Sequence, residues 1–218
     1  MTPTLDASPA TDRASGSLAD EQRDVARARI LRAARTVMAA RGLETTVDDV
    51  ATAARVSRRT VFRHFETRER LLAEALRDGL RSYGQQLAMA SEVGGADGAD
   101  AVWLVDLLTA AHRLNAKNGR IYWELAALGS DVEGELAAVA VERRENRRRF
   151  AARVTGAAWS ARGGTASPPT WLVDTFAVHL SAFTTQALGG DFGRTPDEVA
   201  LVSARVLEAA LAAALPTT

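Results

Sequence analysis

Residues 46–65 read TVDDVATAARVSRRTVFRHF, and this stretch decides the fold. Its first half predicts a short helix, because apolar residues recur in it at helical spacing. These residues are Val47, Val50, Ala51 and Ala54. Thr46 stands where a capping residue is expected, and the two aspartates that follow Val47 favour the positive end of the helix dipole.

The second half of the stretch predicts another short helix. Ser57 is a suitable capping residue, and Val61 and Phe65 lie one helical turn apart. The two helices therefore meet across Arg55 and Val56. Two short helices joined by such a tight turn form a helix-turn-helix, whose second helix can enter the major groove of DNA.

The outer side of this second helix is rich in arginine. Turning Val61 and Phe65 inward leaves the other long side chains outside, namely Arg58, Arg59, Phe62 and Arg63. Guanidinium groups there can read guanine edges, and an aromatic ring can contact thymine methyl groups. Phosphate contacts are predicted for the surrounding polar side chains, which are Thr46, Ser57, Thr60, His64 and Arg68. An ordinary helix with a solvated, charged face is the alternative.

The sequence on either side extends the helical pattern. Upstream, a helix is predicted by the spacing of Ile30, Ala34, Val37 and Met38. Gly42 then suits a left-handed C-cap. Downstream, Thr67 can cap a longer helix that runs toward Tyr83 and whose apolar residues begin with Leu71, Leu72 and Leu76.

The charges of the chain are distributed unevenly. The whole sequence of 218 residues has a formal net charge of zero. Residues 22–70, however, contain twelve arginines against six acidic residues, whereas residues 1–21 and 71–218 are both acidic overall. A local basic excess is expected of a surface that displaces counterions from phosphates. A solvated charged face would also account for it.

Composition excludes several classes of protein. The sequence has no cysteine, so disulfides, thiolate metal sites and thiol nucleophiles are excluded, and its three histidines are far apart. It contains no metal-binding or glycine-rich phosphate motif, so we expect neither an enzyme nor a cofactor or metal. No apolar run reaches the roughly 20 residues of a membrane span, and residues 1–20 lack a signal-peptide pattern. These features predict a cytoplasmic protein.

Residues 42–72 read GLETTVDDVATAARVSRRTVFRHFETRERLL, which resembles the DNA-binding signature of the tetracycline-repressor (TetR) family. The resemblance covers about 45 residues, from the first predicted helix into the fourth. Arg55 stands where the family usually has a turn glycine, which implies strain if φ is positive there. Phe62 stands where a tyrosine is frequent, so a hydroxyl that could bond a phosphate is missing.

The resemblance implies an all-α protein. A three-helix, N-terminal DNA-binding domain with the helix-turn-helix would be followed by a larger helical domain that binds an effector and dimerises. We accordingly divide the chain into a disordered tail, a DNA-binding domain and an effector-binding and dimerisation domain, at residues 1–21, 22–66 and 67–218. Five further helices are predicted between glycine and proline breaks, over residues 100–115, 119–128, 132–162, 168–188 and 196–215.

The last predicted helix opens with Thr195-Pro196-Asp197-Glu198, a capping box with proline at the first helical position. An apolar stripe follows at Val199, Val202, Val206, Ala210 and Ala213. The stripe alone fits either a core face or an interface. The resemblance favours a dimer interface built from the last two helices, to which Phe183 on the preceding helix would belong.

The resemblance also implies a ligand pocket among the central helices. Candidates are aromatic residues and polar anchors on those helices, Trp103, Tyr122, Trp123, Phe150, Phe176, His112 and His179. Ordinary core positions are the alternative for all of them. Arg143 and Asn146 share the otherwise apolar face of the long helix, where they would bind an acidic effector. The alternative is a rotated helix on which Arg143 is solvated.

Two function classes then remain. A nonspecific architectural DNA-binding protein would share the basic face, but it would not need the many helices that follow. We therefore expect a homodimeric regulator that binds a pseudo-palindromic operator in double-stranded DNA and responds to a small-molecule effector. The family norm implies a repressor, and an activator of the same fold is the alternative.

Overall fold

A computed structural model describes residues 12–92, 100–118, 120–127 and 133–215. Every regular element in these ranges is a helix, and no strand occurs in them, which confirms the predicted all-α class. No helix in the same ranges combines the length and the hydropathy that crossing a membrane requires.

The helices follow one another with short connections. The N-terminal group comprises α1 (Asp12–Arg41), a 3₁₀ turn (Gly42–Glu44), α2 (Val47–Ala54), α3 (Arg58–Phe65) and α4 (Arg68–Glu92). The C-terminal group comprises α5 (Ala101–Asn118), α6 (Arg120–Ala127), α7 (Glu135–Ala161), α8 (Thr170–His179), α9 (Ala182–Gln186), a π-helical turn (Ala187–Asp191) and α10 (Pro196–Ala214).

The predicted helix caps are present. At the start of α2, the Thr46 hydroxyl accepts a hydrogen bond from the Asp49 N–H at 3.2 Å, and the Asp49 carboxylate accepts one from the Thr46 N–H at 3.0 Å. Ser57 caps α3, and Thr195 opens α10 with a second capping box. These bonds satisfy backbone donors that a helix start leaves unpaired. The starting points of these helices therefore follow from local sequence.

The first helix begins earlier than the sequence predicts. Residues 12–21, assigned to the disordered tail, form the first turns of α1, while residues 1–11 lie outside the described residues. This segment contains no proline. Once a helix is nucleated, each added residue gains a hydrogen bond at low cost, so α1 extends backward although residues 18–21 are exposed.

The helix predicted over residues 168–188 is broken in two. Helix α8 ends at His179, and α9 begins after Ser181. The Ser181 hydroxyl donates to the Val178 carbonyl at 2.6 Å and accepts from the Thr184 N–H at 3.3 Å. Serine and threonine offer such local partners to the backbone in competition with the helical ladder, which accounts for the break.

The described core consists of two clusters that share helix α4. The first joins α1, α2 and α3 to the first half of α4 and to residues of α6, α7 and α9, and it includes the predicted buried residues Val47, Val50, Ala51, Ala54, Val61 and Phe65. The second joins the end of α4 to α5, α7, α8 and α10. Tyr83 of α4 packs against both clusters.

Candidate DNA interface and effector cavity

Helix α3 turns its two apolar side chains into the core. Val61 and Phe65 are each 1% exposed. Arg59 and Arg63 lie on the opposite side and are exposed, as the sequence predicts, and neither forms an ion pair within the described ranges. Two guanidinium groups are therefore available to base edges or phosphates.

Arg58 is exposed but is held in place by two contacts. Its guanidinium lies 2.6 Å from the Asp48 carboxylate of α2 and 5.3 Å from the centre of the Phe62 ring. Phe62 itself is half-buried and packs against the first core cluster. The ion pair and the cation–π contact position Arg58 over the junction of α2 and α3.

The turn between α2 and α3 places Arg55 at a positive φ, the condition under which a side chain at this position implies strain. Arg55 adopts φ 55° and ψ 48°, a left-handed conformation that a side chain disfavours and glycine tolerates. Its N–H donates to the Ala51 and Thr52 carbonyls. Arg55 thus ends α2 and sets the angle at which α3 leaves it.

The hydroxyls predicted to contact phosphates lie at the helix starts. The Ser57 and Thr60 hydroxyls are 2.8 Å apart on the exposed first turn of α3. Thr46 occupies the equivalent place on α2, inside its capping box. These side chains are already hydrogen-bonded within their own caps, so their contacts with phosphate stay a prediction.

Two other predicted phosphate contacts turn toward the protein. Arg68 Nε donates to the Thr45 carbonyl at 2.8 Å, and a second nitrogen donates to the Leu43 carbonyl. His64 Nε2 is buried and has no hydrogen-bond partner in the described structure. Burial and the nearby Arg63 lower the pKa of His64, which favours the neutral ring. Arg68 therefore secures the loop before α2, a role that its sequence position alone did not reveal.

A cavity of about 310 Å³ lies among α4, α5, α6, α7 and the α8–α9 connection. Four of the predicted ligand contacts line it, namely Tyr122, Arg143, Asn146 and Phe150. Its size is at the lower end of the range for sites that take small organic molecules. Most of its remaining walls are apolar, with leucines from α4 at one side.

The other predicted pocket residues lie elsewhere. Trp103 and Phe176 are buried in the second core cluster. Trp123 packs edge-on against Phe183, with the ring centres 4.8 Å apart. His179 hydrogen-bonds within the helical bundle and does not line the cavity. The sequence shows which helix carries an aromatic ring, but the tertiary packing decides which side of that helix faces the cavity.

Helix α7 is rotated so that Arg143 faces the interior. Arg143 is 9% exposed, which decides between the two orientations that the sequence left open. Asn146, almost one turn further on, lies at the exposed rim of the cavity. Burial and the neighbouring Arg147 lower the pKa of Arg143. A guanidinium nevertheless stays charged at neutral pH, so the cavity holds a cation.

Five further polar residues of the cavity lining were not predicted as ligand contacts, namely Arg81, Tyr83, Asn115, Arg147 and Ser181. Tyr83 donates to the Asn115 side-chain oxygen at 3.1 Å, and burial raises the pKa of Tyr83 to about 12. Arg147 donates to the Ala177 carbonyl at 2.8 Å. The sequence pattern predicts that the fourth helix runs toward Tyr83. No feature of the neighbouring sequence, however, distinguishes Asn115 or Arg147 from solvent-exposed residues.

The faces of α8 and α10 that point away from the core are partly apolar. Val202 and Val206 are 39% and 40% exposed, and Ala210 is half-buried. Val199, predicted for the interface, is instead fully buried in the chain's own core. The stripe on α10 is wide enough to divide between the core and the surface, because the helix packs against α5 and α8. Phe183 lies on α9, against Trp123.

Residues 30–75 match a family model described as "Bacterial regulatory proteins, tetR family". The matched segment runs from Ile30 in α1, through α2 and α3, to Ala75 in α4, so it contains the complete helix-turn-helix. No curated protein matches the chain significantly. The family match agrees with the resemblance in residues 42–72 and with the geometry of α2 and α3. Residues 30–75 therefore form a helix-turn-helix domain like that of the bacterial tetR-family regulatory proteins, which supports a DNA-binding transcriptional regulator.

Proposed function

We propose that this regulator is a homodimeric repressor that a small molecule releases from its operator when it enters the cavity. The observation that carries the proposal is the course of helix α4. Leu71 and Leu72 at its start pack in the same cluster as the helix-turn-helix, and Tyr83 and Leu87 near its end line the cavity. One continuous helix of 25 residues thus joins the two sites.

A second connection runs through α6. Tyr122 on this helix lines the cavity, and Glu124, half a turn further on, accepts a hydrogen bond from the Leu43 N–H in the 3₁₀ turn before α2. A ligand that displaces Tyr122 would therefore also disturb the segment that positions α2. Glu69 on α4 similarly accepts from the Glu135 N–H at the start of α7, at 2.8 Å.

The proposed dimer uses the exposed apolar face of α8 and α10. Trp171 and Val178 on α8 and Val202 and Val206 on α10 are large apolar side chains that one chain leaves exposed. A two-fold interface would cover them and place two copies of α3 in successive major grooves, roughly 34–36 Å apart. The proposed functional division between residues 66 and 67 falls directly before the start of α4.

The proposal is tested in two steps. Selection of bound duplexes from a random DNA pool should yield an inverted repeat if a two-fold dimer reads the site. Transcription from a template that carries this site next to a promoter should then fall when the protein is added. Recovery of unrelated sequences with equal affinity would contradict sequence-specific binding, and a rise in transcription would identify an activator.

A further inference from the structure

Arg143 brings a cation into the cavity without a counterion. It is 9% exposed, and no carboxylate in the described part of the chain pairs with it. The acidic residues nearest to it in sequence are engaged elsewhere, because Glu142 pairs with Arg77 and Glu145 pairs with Arg149. A buried charge that lacks a partner is costly, so its presence in a cavity points to a ligand.

Tyr122 lines the same cavity, and its hydroxyl is also unsatisfied. It is buried and has no hydrogen-bond partner in the described structure. The other polar groups of the cavity differ in this respect. Tyr83 donates to Asn115, and Arg147 donates to the Ala177 carbonyl. Among the buried side chains described in the cavity lining, the two donors that lack a partner are therefore Arg143 and Tyr122, and both would be satisfied by an acceptor.

The kind of acceptor follows from the chemistry of these donors. A guanidinium is planar and has no acceptor, and it binds a carboxylate through two parallel hydrogen bonds. A neutral acceptor would leave the charge of Arg143 uncompensated. The remaining walls include Leu80, Leu87 and Phe150, which suit a compact hydrophobic body.

We infer that the effector is a small amphipathic monoanion, whose carboxylate is bound by Arg143 and the Tyr122 hydroxyl and whose apolar part contacts the leucine and phenylalanine side chains. This inference rests on the proposed function, in which the cavity is the effector site. It adds the chemical class of the effector and names the residues that recognise its charge.

The test compares carboxylates with neutral molecules of the same shape. Benzoate, naphthalene-2-carboxylate and decanoate are each titrated into the full chain by calorimetry, alongside benzamide, naphthalene-2-carboxamide and decanamide. At least one carboxylate should bind about tenfold tighter than its amide. Equal affinity within every pair, or no binding by any of the three carboxylates, would overturn the inference.

Variants then assign the preference to named side chains. R143Q should remove the preference for the carboxylate, and Y122F should weaken carboxylate binding several-fold. R148Q is the matched control, because Arg148 lies exposed on the same helix and outside the cavity. A preference that survives in R143Q would overturn the assignment.

A measurement without any ligand checks the premise that Arg143 is a buried charge without a counterion. R143M replaces an unpaired buried charge with an apolar chain of similar length, so the melting temperature should rise by a few degrees. A fall in the melting temperature would show that Arg143 supports the fold, contrary to the premise. The R148M variant should melt like the unchanged chain.

Operator binding separates this inference from the proposed function. A carboxylate that binds through Arg143 but leaves the protein on its operator would support the site and contradict effector release. Release by an amide, unaffected by R143Q, would support effector release and overturn the anionic class.

Discussion

At the scale of the residue, Arg55 combines a side chain with a left-handed backbone at the turn of the helix-turn-helix. We predict that R55G raises the free energy of unfolding by up to about 1 kcal/mol, because glycine removes the strain, partly offset by the greater freedom of glycine in the unfolded chain. Urea denaturation measures the change. R32G, at an exposed position in the middle of α1, should lower the same quantity by a similar amount. Equal decreases in the free energy of unfolding of R55G and R32G would contradict the strain assigned to Arg55.

The exposed arginines of α3 give a second prediction at this scale. R59A or R63A should weaken operator binding by about 1–3 kcal/mol and relax the base preference at one position per half-site, if the lost guanidinium reads guanine. The fold should be unaffected, because both side chains are exposed. R148A removes the same charge from α7 and should leave operator binding nearly unchanged. Unchanged binding by the folded double variant R59A/R63A would contradict the role of α3.

At the scale of the element, a buried polar network joins α5, α8, α9 and α10. His112 Nδ1 lies 2.8 Å from the Thr185 hydroxyl, and the Ser203 hydroxyl lies between His112 and His179. Burial, reinforced by the nearby His179, lowers the pKa of His112 to about 4. The network therefore requires a neutral His112.

This network predicts a loss of stability in mild acid. The unfolded chain binds a proton at His112 near pH 6.5, whereas the folded chain resists it down to about pH 4. Folding stability should therefore fall as the pH drops through this window, by up to about 3 kcal/mol from His112. Chemical denaturation at several pH values measures the fall, which should be shallower in H112Q. Parallel curves for the two proteins would contradict the prediction.

The elements differ in how far local sequence determines them. The caps at Thr46, Ser57 and Thr195 and the buried stripe of α2 involve neighbours in sequence, so their residue types predict them. The rotation of α7 that buries Arg143, and the contact of Arg68 with the 3₁₀ turn, depend on packing between distant segments. Such contacts leave no periodic trace in the sequence. The helices and the core of residues 30–75 could therefore be predicted almost completely, whereas the roles of Arg68 and His64 and the cavity could be predicted only in part.

At the scale of the whole molecule, the proposed dimer predicts that operator affinity depends on the assembly of two protomers. V202R or V206R would bury unpaired charges near the two-fold axis and should separate the protomers. Operator affinity should fall when the protomers separate, because each monomer reads a single half-site. Light scattering and DNA binding on the same sample measure both effects. V141R, at an exposed valine of α7, is the control; a monomeric unchanged chain, or intact dimers in both variants, would place the interface elsewhere.

The uninterrupted course of α4 also has a geometric consequence. About 15 residues separate Arg68 from Tyr83, which corresponds to a rod of roughly 22 Å. A tilt of about 5° at the cavity end would displace the far end by roughly 2 Å, and opposite tilts in two protomers would double this displacement. Because the long helix converts a small rotation into a larger displacement, a small ligand would be enough to move the two copies of α3 out of fit with a major groove about 12 Å wide.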